Sequence, residues 1–173
     1  AFLFFNIMEY SKKPLIGIIM GSVSDSRIMQ NASWILDEYK IKHEDQIVSA
    51  HRTPTRLIEY AKHAETKGFK VIIAGAGGAA HLPGMIASHT IIPVIGVPIL
   101  IYNDKSPKKY DKKFSAFEGI DSLLSITEMP SGSPVGAVGI DKASDAGIYA
   151  VKLLANEFPD LKSKLKTKCK DTS

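Results

Sequence analysis

The chain has 173 residues, of which 45% are hydrophobic, and it contains no run of 18 apolar residues. It is long enough to bury one continuous core, and neither a transmembrane helix nor a membrane partner is expected. The formal net charge is +4, and lysines are concentrated near the end of the chain. Because there is one tryptophan and basic and aromatic residues are not interleaved, no nucleic-acid partner is expected.

The only cysteine, Cys169, limits the chemistry of the chain. One thiol makes neither a disulfide framework nor a thiolate metal cluster, so the expected compartment is a reducing cytoplasm. Residues 1–7 are apolar but lack the positive charge and the small-residue cleavage site of a secretory signal. We interpret residues 1–13 as an N-terminal arm or extension.

Apolar runs alternate with amphipathic segments along the chain. Five runs without polar alternation predict buried parallel strands. They comprise residues 15–20, a shorter strand after His43 that ends with residues 46–49, and residues 71–74, 93–97 and 135–140.

The segments between these runs predict helices. Apolar side chains recur at helical spacing after Asp25 and again from Ala143 onward. A further helix begins with Thr53 as N-cap and Pro54 at its first position, and it stops at Gly68. A short helix is expected around residues 85–89.

Parallel strands joined by helices predict an α/β protein, a three-layer α/β/α sandwich around a five-stranded sheet. The simplest arrangement is the flavodoxin-like strand order 2-1-3-4-5. In that order the loops after the first three strands converge on one crevice, where open α/β sheets bind ligands.

The loop after the first strand carries Gly21, Ser22, Ser24 and Asp25. Glycine permits close backbone approach, and the hydroxyls and amides at a helix N-terminus suit a phosphate. Asp25 could accept hydrogen bonds from ribose hydroxyls, as an acidic residue does in dinucleotide-binding folds. The alternative is that Ser24 or Asp25 only caps the helix.

The loop after the second strand places Ser49, His51 and Arg52 within four residues. A guanidinium suits phosphate oxygens, and an imidazole changes charge near neutral pH. We interpret His51 as an acid/base catalyst, and the alternative for Arg52 is a surface ion pair.

Residues 75–84, Gly-Ala-Gly-Gly-Ala-Ala-His-Leu-Pro-Gly, form the loop after the third strand and have few large side chains. Such a segment is costly to order, and a flat heterocycle lying against bare peptide groups would explain it. Gly77 and Ala79 are expected to contact the substrate. His81 is either a second acid/base or a residue that holds the loop in shape.

These loops, together with Asp121-Ser122-Leu123-Leu124-Ser125 and Met129-Pro130, resemble the 5-(carboxyamino)imidazole ribonucleotide mutase family of purine biosynthesis. The resemblance spans residues 14–158, and its long Gly/Ala/His motif is highly specific. It implies an isomerase, without metal or cofactor, that moves the carboxylate of a carbamate from nitrogen to the ring carbon of an aminoimidazole ribonucleotide. By similarity, His51 is the acid/base, and the sugar phosphate is held by Ser22, Asp25 and Arg52 with help from Ser24 and Ser49.

Two alternative functions stay open, besides an inactive homologue that serves as a scaffold, against which the intact motifs argue. A second branch of the family carboxylates the uncarboxylated ribonucleotide directly with carbon dioxide, and there lysine commonly follows the motif histidine, so Arg52 favours the mutase. A flavodoxin-like module that only binds a mononucleotide would share the phosphate loop without needing His51.

The resemblance defines one catalytic domain over residues 14–158. Residues 99–118 form an insertion longer than the family usually has, Asp145 stands where the family usually has asparagine, and residues 159–173 form a lysine-rich tail expected to be a solvated helix end. Family members form octamers with active sites at subunit contacts, so a homo-octamer is expected.

Overall fold

The computed structural model describes residues 10–101 and 117–171, and side chains up to residue 168. Most of the predicted N-terminal arm and most of the insertion at residues 99–118 therefore lie outside the described residues. In the described part of the chain, no helix is long and apolar enough to cross a membrane.

The centre of the fold is a five-stranded sheet in which every pairing is parallel. Its strand order is β2-β1-β3-β4-β5, which confirms the predicted class and order. The strands are β1 (Ile16–Met20), β2 (His43–Ile47), β3 (Val71–Gly77), β4 (Val94–Ile99) and β5 (Gly136–Ala137).

Helices follow the strands and cover both faces of the sheet. A 3-10 turn, Val23–Asp25, precedes the first helix. The helices are α1 (Ser26–Glu38), α2 (Pro54–Lys67), α3 (Leu82–Ala87), α4 (Ile120–Thr127), α5 (Ala143–Leu154) and α6 (Pro159–Asp171).

The core is divided by the sheet into two clusters, because successive side chains of a strand point to opposite faces. On β3, Ile73 packs with α1 and α5, whereas Ile72 packs with α2 and α3. All residues of β1 and β4 are buried, which explains their uninterrupted apolar sequences.

Two predicted boundaries were wrong. The fifth strand, predicted over residues 135–140, is regular only at Gly136–Ala137. Beyond it the Val138 amide donates to the Gly96 carbonyl and the Asp141 amide to the Pro98 carbonyl, so the chain follows β4 without regular pairing. The short helix predicted around residues 85–89 is α3, which begins and ends earlier, at Leu82–Ala87, because Pro83 fits a first helical turn.

The lysine-rich tail is helical, but one of its side chains belongs to the core. Leu161 of α6 is completely buried and packs in the cluster formed with α1 and α5. Lys168 of the same helix forms an ion pair with Glu38 of α1. The tail therefore packs against the domain along one side rather than being solvated all round.

Candidate active site

The loops after β1, β2 and β3 meet at the carboxyl end of the sheet, as the strand order predicts. They enclose an open cavity of about 250 Å³. Its lining includes eight of the nine predicted site residues: Ser22, Ser24, Asp25, Ser49, His51, Arg52, Gly77 and Ala79. The ninth, His81, contacts His51 at its edge.

The loop after β1 is a tight turn that begins the helical segment. The Ser22 amide donates to Asp25 Oδ2 at 2.9 Å, and the Ser22 and Ser24 hydroxyl oxygens are 2.6 Å apart. Burial raises the pKa of Asp25, although hydrogen bonds from Ser22 and Gly21 and the positive charge of Arg52 oppose the rise. The turn thus offers two hydroxyls and a carboxylate whose charge is incompletely compensated.

The loop after β2 aligns Arg52 with the first loop. Ser49 Oγ lies 3.3 Å from both the backbone nitrogen and Nε of Arg52. Arg52 Nη2 lies 3.5 Å from the Gly21 carbonyl oxygen, so the guanidinium spans from one loop to the other. A phosphate in the cavity would meet this guanidinium together with the two serine hydroxyls.

The two predicted histidines form a direct pair. His51 Nε2 and His81 Nδ1 are 2.8 Å apart, and the rings meet edge to face at 78° with centroids 4.9 Å apart. One nitrogen must donate and the other accept, so at least one of these two nitrogens carries no proton. Such a pair can hold a proton on either ring.

The loop after β3 presents its backbone because larger residues do not fit. Gly78 has a φ of +63°, and a Cβ there would lie 2.7 Å from Ile101. A Cβ on Gly77 would lie 2.9 Å from both Ile101 and the Ile99 carbonyl oxygen. At Gly77 the Ile99 carbonyl oxygen leaves no room for a Cβ, whereas at Gly78 the positive φ is what favours glycine.

Sequence reasoning missed Ile101, which also lines the cavity. It follows β4, and residues after the carboxyl end of a neighbouring parallel strand reach the same rim of the sheet. That rule was the signal that could have found it. Across residues 10–101 and 117–168, no three His, Cys, Asp or Glu side chains are grouped to hold a metal ion.

Comparisons with known proteins identify the family of the chain. Residues 15–173 match the AIR carboxylase family. The chain is 53% identical over 161 residues to the N5-carboxyaminoimidazole ribonucleotide mutase of Pyrococcus horikoshii, a match covering 93% of this chain and 84% of the relative. It is 52% identical over 153 residues to that of Thermotoga maritima, covering 88% and 82%.

The fold is also similar to a solved structure. The crystal structure of Treponema denticola PurE superposes with a TM-score of 0.75 at 22% identity, covering 92% of this chain and 92% of that one.

Proposed function

The chain belongs to the AIR carboxylase family, and we propose on that basis that it is an N5-carboxyaminoimidazole ribonucleotide mutase of purine biosynthesis. The reaction moves the carboxylate of 5-(carboxyamino)imidazole ribonucleotide from the exocyclic nitrogen to the ring carbon. The product is 5-amino-4-imidazolecarboxylate ribonucleotide. The observation that carries the proposal is an imidazole pair, His51 and His81, at the same cavity as an arginine and a serine-rich turn.

The loops after β1 and β2 hold the sugar phosphate in this proposal. Arg52 and the hydroxyls of Ser22 and Ser24 bind phosphate oxygens, because a guanidinium and short hydroxyl donors suit a dianion. Asp25 accepts hydrogen bonds from ribose hydroxyls. Ser49 keeps Arg52 in place through its contacts with the backbone nitrogen and Nε.

His51 carries the proton transfers. When the carbamate C–N bond breaks, its electron pair stays on nitrogen, which takes a proton from the imidazole, and carbon dioxide is released. The enamine-like ring carbon then attacks carbon dioxide with its own electron pair, and the ring C–H proton returns to the imidazole. The net reaction consumes no proton. In this proposal His81 shares the proton with His51 between the two steps, which the 2.8 Å contact between their ring nitrogens supports.

The bare loop after β3 confines the intermediate. Gly77 and Ala79 line the cavity and present peptide groups to the heterocycle. Confinement turns the recombination into an effectively intramolecular step, which raises the effective concentration of carbon dioxide at the ring carbon.

Arg52 favours the mutase over direct carboxylation of the uncarboxylated ribonucleotide, since lysine commonly follows the motif histidine in the carboxylating branch. The non-catalytic binding module is disfavoured because holding a mononucleotide requires no paired imidazoles. A purified protein with a bound flavin would be yellow, so an absorption spectrum checks that alternative directly.

The decisive assay uses pure protein with two substrates in parallel: the carbamate ribonucleotide, and the uncarboxylated ribonucleotide with bicarbonate. We expect turnover with the carbamate and little with the second mixture. The reverse result would assign the protein to the carboxylating branch, and no turnover with either would refute both.

We further propose that the enzyme works in the cytoplasm and assembles as a homo-octamer. The single cysteine of the chain supports the first proposal. Large apolar side chains on the surface of the described fold support self-association.

A further inference from the structure

Ser122 on α4 lies outside the cavity lining, yet it bonds to the loop that forms one cavity wall. Its side chain is completely buried. Its Oγ accepts a hydrogen bond from the Gly78 amide at 2.7 Å and donates one to the Ile99 carbonyl at 3.0 Å. One hydroxyl therefore joins the segment after β3 to the end of β4.

The partners of Ser122 differ from those of neighbouring hydroxyls on the same helix. The hydroxyls of Ser125 and Thr127 donate to carbonyls four residues earlier in α4, at 2.7 and 2.9 Å. Helical serines commonly make such local bonds. Ser122 instead bonds residues 44 and 23 positions away, which a helix does not need for its own stability.

A second hydroxyl of α4 approaches the same peptide. Ser125 Oγ lies 3.5 Å from the Gly78 carbonyl oxygen, so both polar backbone groups of Gly78 face this helix. Glycine adopts the positive φ of Gly78 at little steric cost, so its own conformation does not fix the peptide, and its position depends on the contacts with α4.

From Gly78 a short series of backbone bonds leads to the histidine pair. The Ala80 amide donates to the Gly78 carbonyl, and the His81 amide donates to the Ala79 carbonyl, each at 2.8 Å. The His81 ring then contacts His51. Fixing Gly78 thus fixes the start of the turn whose end places His81.

We propose that Ser122 is a positioning residue that keeps the glycine loop closed over the reacting base and His81 against His51. This inference rests on the proposed function, because its consequence is the retention of carbon dioxide between the two half-reactions. Carbon dioxide is uncharged and forms no ion pair with the protein, so its retention depends on a cavity lining that does not move.

The test gives the Ser122→Ala variant the carbamate ribonucleotide in degassed buffer. Both the carboxylated product and the uncarboxylated ribonucleotide are measured, and the spontaneous loss of the carbamate in protein-free buffer is subtracted. We expect kcat to fall about tenfold, because the Gly78 amide loses its hydrogen-bond partner and the loop shifts, whereas KM should change by no more than about twofold. The fraction of turnovers that lose carbon dioxide should rise at least about threefold, because a displaced wall opens the cavity.

Three variants complete the design. Ser122→Thr keeps the hydroxyl and should restore most of the coupling between consumption and product. Ser33→Ala removes another buried serine hydroxyl, which bonds Asp45, and neither residue lines the cavity. This variant should lower stability without raising the loss of carbon dioxide. Ser125→Ala should raise the loss of carbon dioxide less than Ser122→Ala does. It tests the proposal in place of Ser122→Ala if that variant does not fold.

Hydrogen exchange of residues 75–84 gives a readout independent of activity, and it should quicken in Ser122→Ala but not in Ser33→Ala. If Ser122→Ala folds and neither its hydrogen exchange nor its fraction of turnovers that lose carbon dioxide changes, the inference is overturned. If Ser122→Ala does not fold, an unchanged fraction in Ser125→Ala overturns it. Failure of the proposed function is distinct, because the unaltered protein would then not convert the carbamate.

Discussion

His51 is the residue on which the proposed chemistry depends most. We expect His51→Asn to fold normally and bind the ribonucleotide with nearly unchanged affinity, while kcat falls by roughly 10²–10⁴-fold because acid/base assistance is lost. Steady-state kinetics with the carbamate substrate, together with an unfolding curve, measure both effects. Retention of most of the rate would refute the acid/base assignment.

Arg52 provides the matched control at the neighbouring position. Arg52→Ala should raise KM about tenfold or more before kcat suffers, because a charged hydrogen bond to phosphate contributes to binding. The two variants therefore separate chemistry from binding within one loop. A loss confined to kcat in Arg52→Ala would remove the guanidinium from phosphate binding.

The buried carboxylate of Asp25 should lower the folding stability of the chain while it contributes to binding of the ribonucleotide. Because burial raises its pKa above the usual value of 3.8, the ionised form is less favourable in the folded than in the unfolded chain, and this cost is present at neutral pH. We expect Asp25→Asn, which keeps an acceptor for the Ser22 amide, to leave unfolding stability at pH 7 equal or higher. The KM for the ribonucleotide should rise about tenfold. A clear loss of stability would contradict the sign.

The sequence could predict which residues gather at the cavity, but it could not predict the contacts between them. Ser22, Asp25 and Arg52 are chemically suited to a sugar phosphate wherever the sequence places them at strand ends. The contact between His51 and His81 joins residues 30 positions apart and depends on how the loop after β3 turns. Ser122 was part of a recognised motif, but its contact with Gly78 is a tertiary detail that spacing does not reveal.

Between α1 and the strand β2, one histidine lies between two carboxylates. His43 Nδ1 is 2.6 Å from Asp45 and its Nε2 is 3.2 Å from Asp37, while Ser33 Oγ donates to Asp45 at 2.5 Å. The hydrogen bond with Asp45 raises the pKa of His43 above 6.5 against the opposing effect of burial. Burial disfavours the Asp45 charge, yet hydrogen bonds from His43 and Ser33 outweigh it and lower the pKa of Asp45.

The charged cluster should therefore stabilise the fold in a defined pH window. Its histidine contribution is complete below about pH 6.5 and is lost as pH rises through the raised pKa, while that of Asp45 is lost in acid. We expect His43→Gln to lower the free energy of unfolding by about 1 kcal/mol near pH 5.5 and by less at about pH 8.5. Urea titrations at both values measure this.

His63 on α2 serves as the control for that experiment. It is exposed, and its Nδ1 contacts the Glu59 carbonyl oxygen rather than a carboxylate. His63→Gln should change stability little at either pH. If His43→Gln lowers the free energy of unfolding equally at both pH values, the His43 side chain acts by packing alone.

The terminal helix α6 should contribute to stability through Leu161. Because that side chain is completely buried, Leu161→Ala should lower the free energy of unfolding by about 2–4 kcal/mol. The adjacent exposed Lys162→Ala should change it by less than about 0.5 kcal/mol. Equal, small effects in urea unfolding would mean that α6 is dispensable.

Most elements could be predicted because β1, β3 and β4 are uninterrupted apolar runs and α2 begins with Pro54 and ends before Gly68. The limits of β5 could not, because hydrogen bonding along β4 continues in irregular form after the ladder ends. The packing of α6 was also missed. Its surplus of lysine suggested solvent, whereas Leu161 and Leu165, four residues apart on the helix, determine which side packs against the core.

At the scale of the whole molecule, several large apolar side chains are exposed on the single chain. Ile91 is 84% and Phe117 66% exposed, and Trp34 and Tyr149 are also accessible. Exposed apolar surface of this kind favours self-association. Light scattering at micromolar concentration should give a mass several times the 18.8 kDa of one chain, approaching eight copies. A stable monomer would contradict the proposed assembly.

The two margins of the sheet restrict how such an assembly is built. At one margin, β2 carries His43, Glu44, Asp45 and Gln46, and at the other, β5 has only two residues. Charged or very short outer strands are poor templates for intermolecular backbone pairing. Copies of the chain should therefore join through side-chain contacts between helices and loops, and growth into fibrils by strand pairing is disfavoured.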